Sequence, residues 1–271
     1  MAVKKFVGLT ALHENWEHVI VTAHRGASGC FPENTLLAFH KAVMQGADML
    51  EFDLRVSKDG IPVVLHDKTL NRTSDLDGKP EDFTLEQLRC GNFSYYSFGA
   101  DAQSGRRQNT PSYANMPIPT FEDVLKEFHG QVGMNIQVYA APEALREICR
   151  LYKLFNMYDQ GYLTLASLAD VEFVRKLDAK VEICFTPPWT QRGSEESLHQ
   201  CKKLGCRFVQ PVVEHSGPEC YRLCRELKLR TNAFYSDTDT CNRIILAQGA
   251  TGIISNRPDV VLDTLRDLGR R

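Results

Sequence analysis

The 271-residue sequence predicts an α/β fold closed as a (β/α)8 barrel. Three observations predict it. Short apolar runs rich in β-branched residues alternate with segments of helical spacing along most of the chain. Eight of these runs are each followed by a helical segment, the number that closes a parallel barrel in about 250 residues. The first strand is not followed by G-x-G-x-x-G, the mark of an open dinucleotide-binding sheet.

The elements follow in order. Residues 19–23 read as a strand ending at His24. Residues 35–45 have helical spacing, with Leu36, Phe39, Ala42 and Val43 on one side, Asn34 as the expected N-cap and Gly46 as the stop. Residues 49–56 form the next strand. Ser57-Lys58-Asp59-Gly60 is a turn, because Asp-Gly accepts the positive φ of a tight hairpin, and 61–65 returns to His66. Residues 71–119 are irregular and rich in Gly and Pro. They carry Phe93, Tyr95, Tyr96, Phe98 and Tyr113, so they read as an ordered insertion, a small subdomain or lid. The alternation then resumes. Strands are expected at 132–139, 162–166, 180–185, 207–210, 229–234 and 251–254. Helices are expected at 120–128, 142–155, 168–177, 195–204, 218–227, 238–248 and 260–268. The chain is expected to be one barrel domain over 1–271, with the insertion at about 71–119.

Composition narrows the function. Hydrophobic residues are 43% and charged residues 24%, a balance that supports a large core. A net charge of −2 gives no electrostatic footprint for a nucleic-acid partner. The apolar run 6–12 is too short for a membrane span and lacks an A-x-A cleavage site, so neither a transmembrane segment nor a signal peptide is expected. The nine cysteines include no C-x-x-C, which suggests reduced thiols in a cytoplasmic protein. No H-E-x-x-H or Cys/His cluster supports a zinc hydrolase, and no G-x-S-x-G supports a serine hydrolase.

The chemistry gathers between His24 and Thr73. Glu51 and Asp53 lie two apart on a strand, so both project to one face. At the C-terminal end of an inner barrel strand, that face is the active-site mouth, and two carboxylates there suit Mg²⁺ or Ca²⁺. His24 and His66 end neighbouring strands and can carry protons near neutral pH. Arg25 suits bidentate binding of a phosphate. Glu33, in the first loop, can bind a substrate hydroxyl or support the metal shell. A phosphodiesterase needs a cation on the phosphoryl oxygens, a base for the nucleophile and an acid for the leaving alkoxide. This set supplies all three.

HRG, PENT, AF, GAD, EFD, KDG, VVLHD and LNRT, in this order and spacing, resemble the glycerophosphodiester phosphodiesterase family. Weaker resemblance continues at Pro117 to Phe121 and at Gly252 to Pro258. The resemblance implies a TIM barrel of the phosphodiesterase type with a small insertion after the hairpin. It implies an acid/base pair in His24 and His66, metal ligation by Glu51 and Asp53, phosphate binding by Arg25, and a place for Glu33 in the substrate and metal site. It implies a small-molecule phosphodiester substrate and a divalent cofactor, Mg or Ca. The implied reaction is attack of the glycerol hydroxyl on phosphorus to give a cyclic phosphate, then opening of the ring by water to glycerol 3-phosphate.

The sequence departs from that family further along. A third metal ligand and a phosphate-binding lysine normally come from a strand like N-I-E-L-K. Here it reads Asn135-Ile136-Gln137-Val138-Tyr139. Gln137 stands at the metal position and Tyr139 at the substrate position. A neutral amide oxygen should hold a cation more weakly than a carboxylate. A tyrosine hydroxyl can donate a hydrogen bond but carries no charge. Asn232 to Tyr235 and Ser255-Asn256 also replace the usual Trp-Thr-Val-Asn and Thr-Asp. Two other readings accompany hydrolysis: a weakened or inactive barrel that binds a phosphorylated ligand, and lysophospholipase D-like activity with the insertion aromatics covering an acyl chain.

Overall fold

A computed structural model describes residues 5–95, 110–140 and 142–271. Among these, parallel strands form a curled ladder in the order β6-β5-β4-β2-β1-β10-β9. They are β1 Ile20–His24, β2 Met49–Val56, β4 Gly133–Val138, β5 Gly161–Leu165, β6 Ile183–Phe185, β9 Ala233–Phe234 and β10 Gly252–Ser255. A second ladder pairs β7 Phe208–Val209 with β8 Arg230–Thr231. Since β8 and β9 are one stretch broken only at Asn232, that ladder continues the curl towards β6. The eight-stranded barrel expected from the alternation is the observed fold.

Asn232 still pairs through its backbone, its N–H on the Val209 carbonyl at 2.8 Å. Its side-chain amide is drawn inward to the Tyr162 hydroxyl at 2.8 Å and accepts from Thr22 Oγ1 at 3.2 Å, so it fills the lumen. The antiparallel arm β3 Pro62–Val64 pairs with β2 through Leu54↔Val64 and Val56↔Pro62, which is the predicted hairpin.

Parity sorts the strands into two faces. Outward residues Leu50, Phe52 and Leu54 pack with Ile136, Val138 and the helices in the main core. Phe52 meets Phe39 at 5.7 Å and Phe121 at 6.1 Å between ring centroids. The lumen is layered. Its floor is apolar, with Ile20, Met49, Tyr162, Cys184 and Phe208 packed on Leu9 and Leu12. Those two leucines belong to a helix, Leu9–Glu14, that the apolar run 6–12 did not predict. Arg230 seals this end by donating to the carbonyls of Leu12, Asn15, His18 and Thr251. The next layer is polar: Thr164 Oγ1 and Gln210 Nε2 both donate to Asn135 Oδ1, at 2.6 and 3.2 Å. Above it the barrel opens.

Two expectations are corrected. Thr35, not Asn34, caps the helix Leu36–Gln45, through its side chain on Ala38 N. Asn34 instead has φ 56° and turns its side chain into the site. Within the insertion, a helix Leu85–Arg89 forms where only irregular chain was expected. Phe93 is buried with Val63, Leu65, Leu70, Leu88 and Ile118, so it serves a local core beside the hairpin. Tyr96 and Phe98 lie outside the described residues. No helix among the described residues is long and apolar enough to cross a membrane, and none of the nine cysteines is in a disulfide.

Candidate active site

The strand register brings the sequence candidates together. His24 lies beside Glu51, and Asp53 beside Gln137, all at the C-terminal ends of adjacent strands. A cavity of about 430 Å³ opens there, and His24, Arg25, Glu33, Glu51, Asp53, His66, Gln137 and Tyr139 all line it.

The turn after β1 explains the H-R-G triplet. Arg25 adopts φ 56° and Gly26 φ 81°. A Cβ on Gly26 would meet the Ala38 backbone carbon at 2.7 Å, so only glycine lets this loop lie on the helix. The left-handed turn aims the Arg25 N–H at Glu51 Oε2, 3.0 Å away. The Arg25 side chain donates to Glu33 Oε1 at 2.9 Å and lies 3.3 Å from Asp53 Oδ2.

His24 is buried, with one nitrogen assigned by its surroundings. The Asn256 N–H and Nδ2 donate to the two Asp237 oxygens, each at 2.7 Å. This turns Asn256 Oδ1 towards Ser28 Oγ at 2.9 Å and His24 Nδ1 at 2.7 Å. Nδ1 must therefore carry the hydrogen, which leaves a lone pair on Nε2, 3.8 Å from Glu51 Oε2. Burial, then the charge of Arg25, holds the imidazole well below its ordinary range despite the Asn256 bond. Its ring is flanked by Phe234, edge-on at 5.0 Å, and by Tyr235, stacked at 6.1 Å.

His66 is held differently. Its Nδ1 meets Asp67 Oδ1 at 2.8 Å, and a carboxylate acceptor again leaves Nε2 free. Arg72 clamps Asp67 with bonds of 2.7 and 2.9 Å and Glu33 with two of 2.7 Å. Burial raises the Asp67 and Glu33 carboxyls, but the arginines and His66 overcome it. Asp67 falls well below the carboxylate range and Glu33 to about 2. Glu33 is thus a carboxylate shared by Arg25 and Arg72.

Glu51 shows the opposite balance. Burial and then the Asp53 charge push its carboxyl well above the ordinary range. Asp53 accepts from Asn34 Nδ2 at 2.9 Å. Gln137 is buried, and its Nε2 has no hydrogen-bond partner among the described residues. Tyr139 sits edge-on to His66 at 5.4 Å and under the Arg55 guanidinium at 5.2 Å. Burial and the Asp53 and Glu51 charges keep its phenol protonated by raising it above the ordinary range. Among the described residues, no three His, Cys, Asp or Glu side chains converge as a metal cage. The expected metal set is two carboxylates and one amide.

Several site residues carried no individual signal in the sequence. Asp67 and Arg72 lie within VVLHD and LNRT, where nothing local separates them from surface charges. Asn34 has the type of a helix cap, and Asn256 stands where Asp is usual. Asp237, Trp189 and Arg192 belong to loops whose approach to the site depends on barrel closure.

The fold and this mouth are those of a (β/α)8-barrel phosphodiesterase. The chain belongs to the Glycerophosphoryl diester phosphodiesterase family, whose profile matches residues 24–260. It is 26% identical over 255 residues to a glycerophosphodiester phosphodiesterase of Caldanaerobacter subterraneus subsp. tengcongensis, covering 92% of this chain and 99% of that protein. It is 29% identical to one from Bacillus altitudinis, covering 88% and 95%. Among solved structures, a phosphodiesterase from Oleispira antarctica in complex with the product sn-glycerol-3-phosphate superposes with a TM-score of 0.77 at 20% identity, covering 91% of this chain and 96% of that one. A glycerophosphoryl diester phosphodiesterase from Parabacteroides distasonis gives 0.76 at 20% identity, covering 97% and 93%.

Proposed function

We propose that this protein hydrolyses small glycerophosphodiesters to glycerol 3-phosphate and an alcohol, with His24 and His66 as its proton carriers. The observation that carries this reading is the pair of imidazoles with free Nε2 atoms in one pocket around the Glu51–Asp53 carboxylates.

In the first step the His24 Nε2 lone pair takes the proton of the glycerol hydroxyl next to the phosphodiester. The new O–P bond closes a cyclic phosphate and the P–O bond to the alcohol breaks, while His66, entering the step as an imidazolium with a hydrogen on each nitrogen, gives its Nε2 proton to the departing alkoxide. Asp67, held ionised by Arg72, orients His66 and lies where it stabilises the charged imidazolium. In the second step His66 takes a proton from water, the hydroxide oxygen joins phosphorus, and one ring P–O bond breaks. His24 returns its proton to the ring oxygen. The net change is one water added across one P–O bond, and both histidines recover their starting states.

The residues present fit a hard divalent cation. Glu51 and Asp53 are adjacent buried carboxylates whose mutual repulsion a cation relieves, and nothing anchors the Gln137 amide nitrogen. Glu51, Asp53 and the Gln137 oxygen would hold Mg²⁺ or Ca²⁺. Such an ion would polarise the phosphoryl oxygens and offset developing charge. Arg25, Glu33 and Tyr139 would meet the substrate, Tyr139 through a neutral hydroxyl.

The test is release of choline and glycerol 3-phosphate from glycerophosphocholine with Mg²⁺, Ca²⁺ or Mn²⁺. Wild type should turn over, and a His24→Ala, His66→Ala double variant should not. No turnover above that variant with any of the three ions would sink the reading and favour a binding protein.

A further inference from the structure

We propose that Arg192 binds the phosphoryl group of the substrate, as the cationic side chain of the pocket left free to do so. The proposal rests on the phosphodiesterase reading above.

Three arginines line the pocket: Arg25, Arg72 and Arg192. Two are already engaged by acids. Arg25 contacts Glu33 and Asp53, and Arg72 forms paired bonds to both Glu33 and Asp67. An anion entering the pocket must compete with buried carboxylates for either of them. Breaking one such buried pair is costly, because it strands a charge in a low-dielectric site.

Arg192 is arranged differently. It follows the short turn Trp189–Gln191 in the loop after β6. Its Nε donates to the Pro187 carbonyl at 3.1 Å, and its guanidinium lies 5.7 Å from the centre of the Trp189 ring. The backbone bond and the indole fix the direction of the fork. Among the described residues no carboxylate lies within ion-pair distance of it, and its two terminal amino groups have no protein acceptor. Burial lowers the guanidinium from its ordinary range, and the groups that act on its charge are Tyr139 and Cys184. Neither is an anion at neutral pH, since burial raises both. A guanidinium stays charged under such burial. The result is a part-buried, oriented and uncompensated cation whose planar fork matches two phosphoryl oxygens.

This position also answers a chemical need. Glu33, Glu51, Asp53 and Asp67 all line the pocket, and Tyr139 contributes no charge. A substrate carrying a phosphodiester anion needs a positive wall that those acids have not already neutralised. Arg192 reaches the neighbourhood of Tyr139 from a different strand end, which is why no local pattern around residue 139 announces it.

The test is calorimetric binding of inorganic phosphate and of sn-glycerol 3-phosphate, with Mg²⁺ present, to wild type, Arg192→Gln and Arg192→Lys. A charge-assisted contact of this kind predicts weakening on the order of 10- to 100-fold for both ligands in Arg192→Gln. Arg192→Lys, which keeps charge but not the fork, should fall between. Circular dichroism should show both variants folded, and the lysine variant carries the test if the glutamine variant does not fold. Equal binding by wild type and the folded variants overturns the Arg192 assignment and leaves the hydrolase reading intact. Unchanged phosphate binding with slower turnover of glycerophosphoserine alone also overturns it, because Arg192 would then face the alcohol. A wild type that neither hydrolyses nor binds overturns both.

Discussion

Replacing Asn256 with leucine probes how this barrel prepares His24. Leucine keeps the volume and removes the acceptor that fixes the imidazole. In the wild type, Asn256 Oδ1 takes hydrogen bonds from His24 Nδ1 at 2.7 Å and Ser28 Oγ at 2.9 Å. The Asp237 carboxylate holds the amide in place from behind. His24 is buried, so water cannot replace the lost acceptor. An unsatisfied buried donor costs about 1–3 kcal/mol, and the imidazole can recover part of this by moving its hydrogen to Nε2. That tautomer has no lone pair at the position that must take the substrate proton. A cost of about 2.7 kcal/mol on the productive tautomer corresponds to about a 100-fold loss of rate. The substrate is bound by other groups, so KM should stay within about threefold and the loss should fall on kcat. The assay is steady-state release of glycerol 3-phosphate, with circular dichroism as the folding control. A folded Asn256→Leu enzyme with kcat within about threefold of wild type would refute the tautomer argument.

Gln137→Glu places a third carboxylate beside Asp53, so its affinity for Ca²⁺ or Mg²⁺, measured by calorimetry, should rise by roughly tenfold; no gain would remove Gln137 from the metal set. Asp48 is buried. Its carboxyl is raised by burial but drawn below the ordinary 3.8 by its bonds to His18 and Arg271. The unfolded chain therefore holds that proton more tightly, and the bonded carboxylate stabilises the fold above pH 4 and loses effect as pH falls through its lowered value. Asp48→Asn should cost about 1–3 kcal/mol in urea titrations at pH 7, and the gap to wild type should close below about pH 4; a gap that widens in acid would contradict the sign. Phe52→Ala removes a ring packed between Phe39 and Phe121 and should cost about 3–5 kcal/mol by thermal denaturation.

The parts of the site that could be read from the chain are those set by short-range geometry. The two-residue spacing of Glu51 and Asp53 determines their common face, and the Asp59-Gly60 turn returns the chain to His66. Alternation over 49–56 identified a strand with the observed bounds. The parts that stayed hidden depend on contacts across the barrel. Asn256 lies 232 residues from His24, and its departure from the usual Thr-Asp gave no hint that Asp237 stands behind it. Asn34 and Thr35 are both good caps by type, and only the reach of Asn34 to Asp53 decides between them. The bonds of Asn232 to Tyr162 and Thr22 inside the barrel join residues far apart in the chain, which strand propensity does not encode.

The central claim is that this pocket breaks the P–O bond on the alcohol side of a glycerophosphodiester. A ³¹P NMR time course with glycerophosphocholine and a divalent ion reports this directly. The diester resonance should be replaced by that of glycerol 3-phosphate, with free choline in equal amount. A diester resonance that persists with Mg²⁺, Ca²⁺ and Mn²⁺, or phosphocholine as the product, would contradict it.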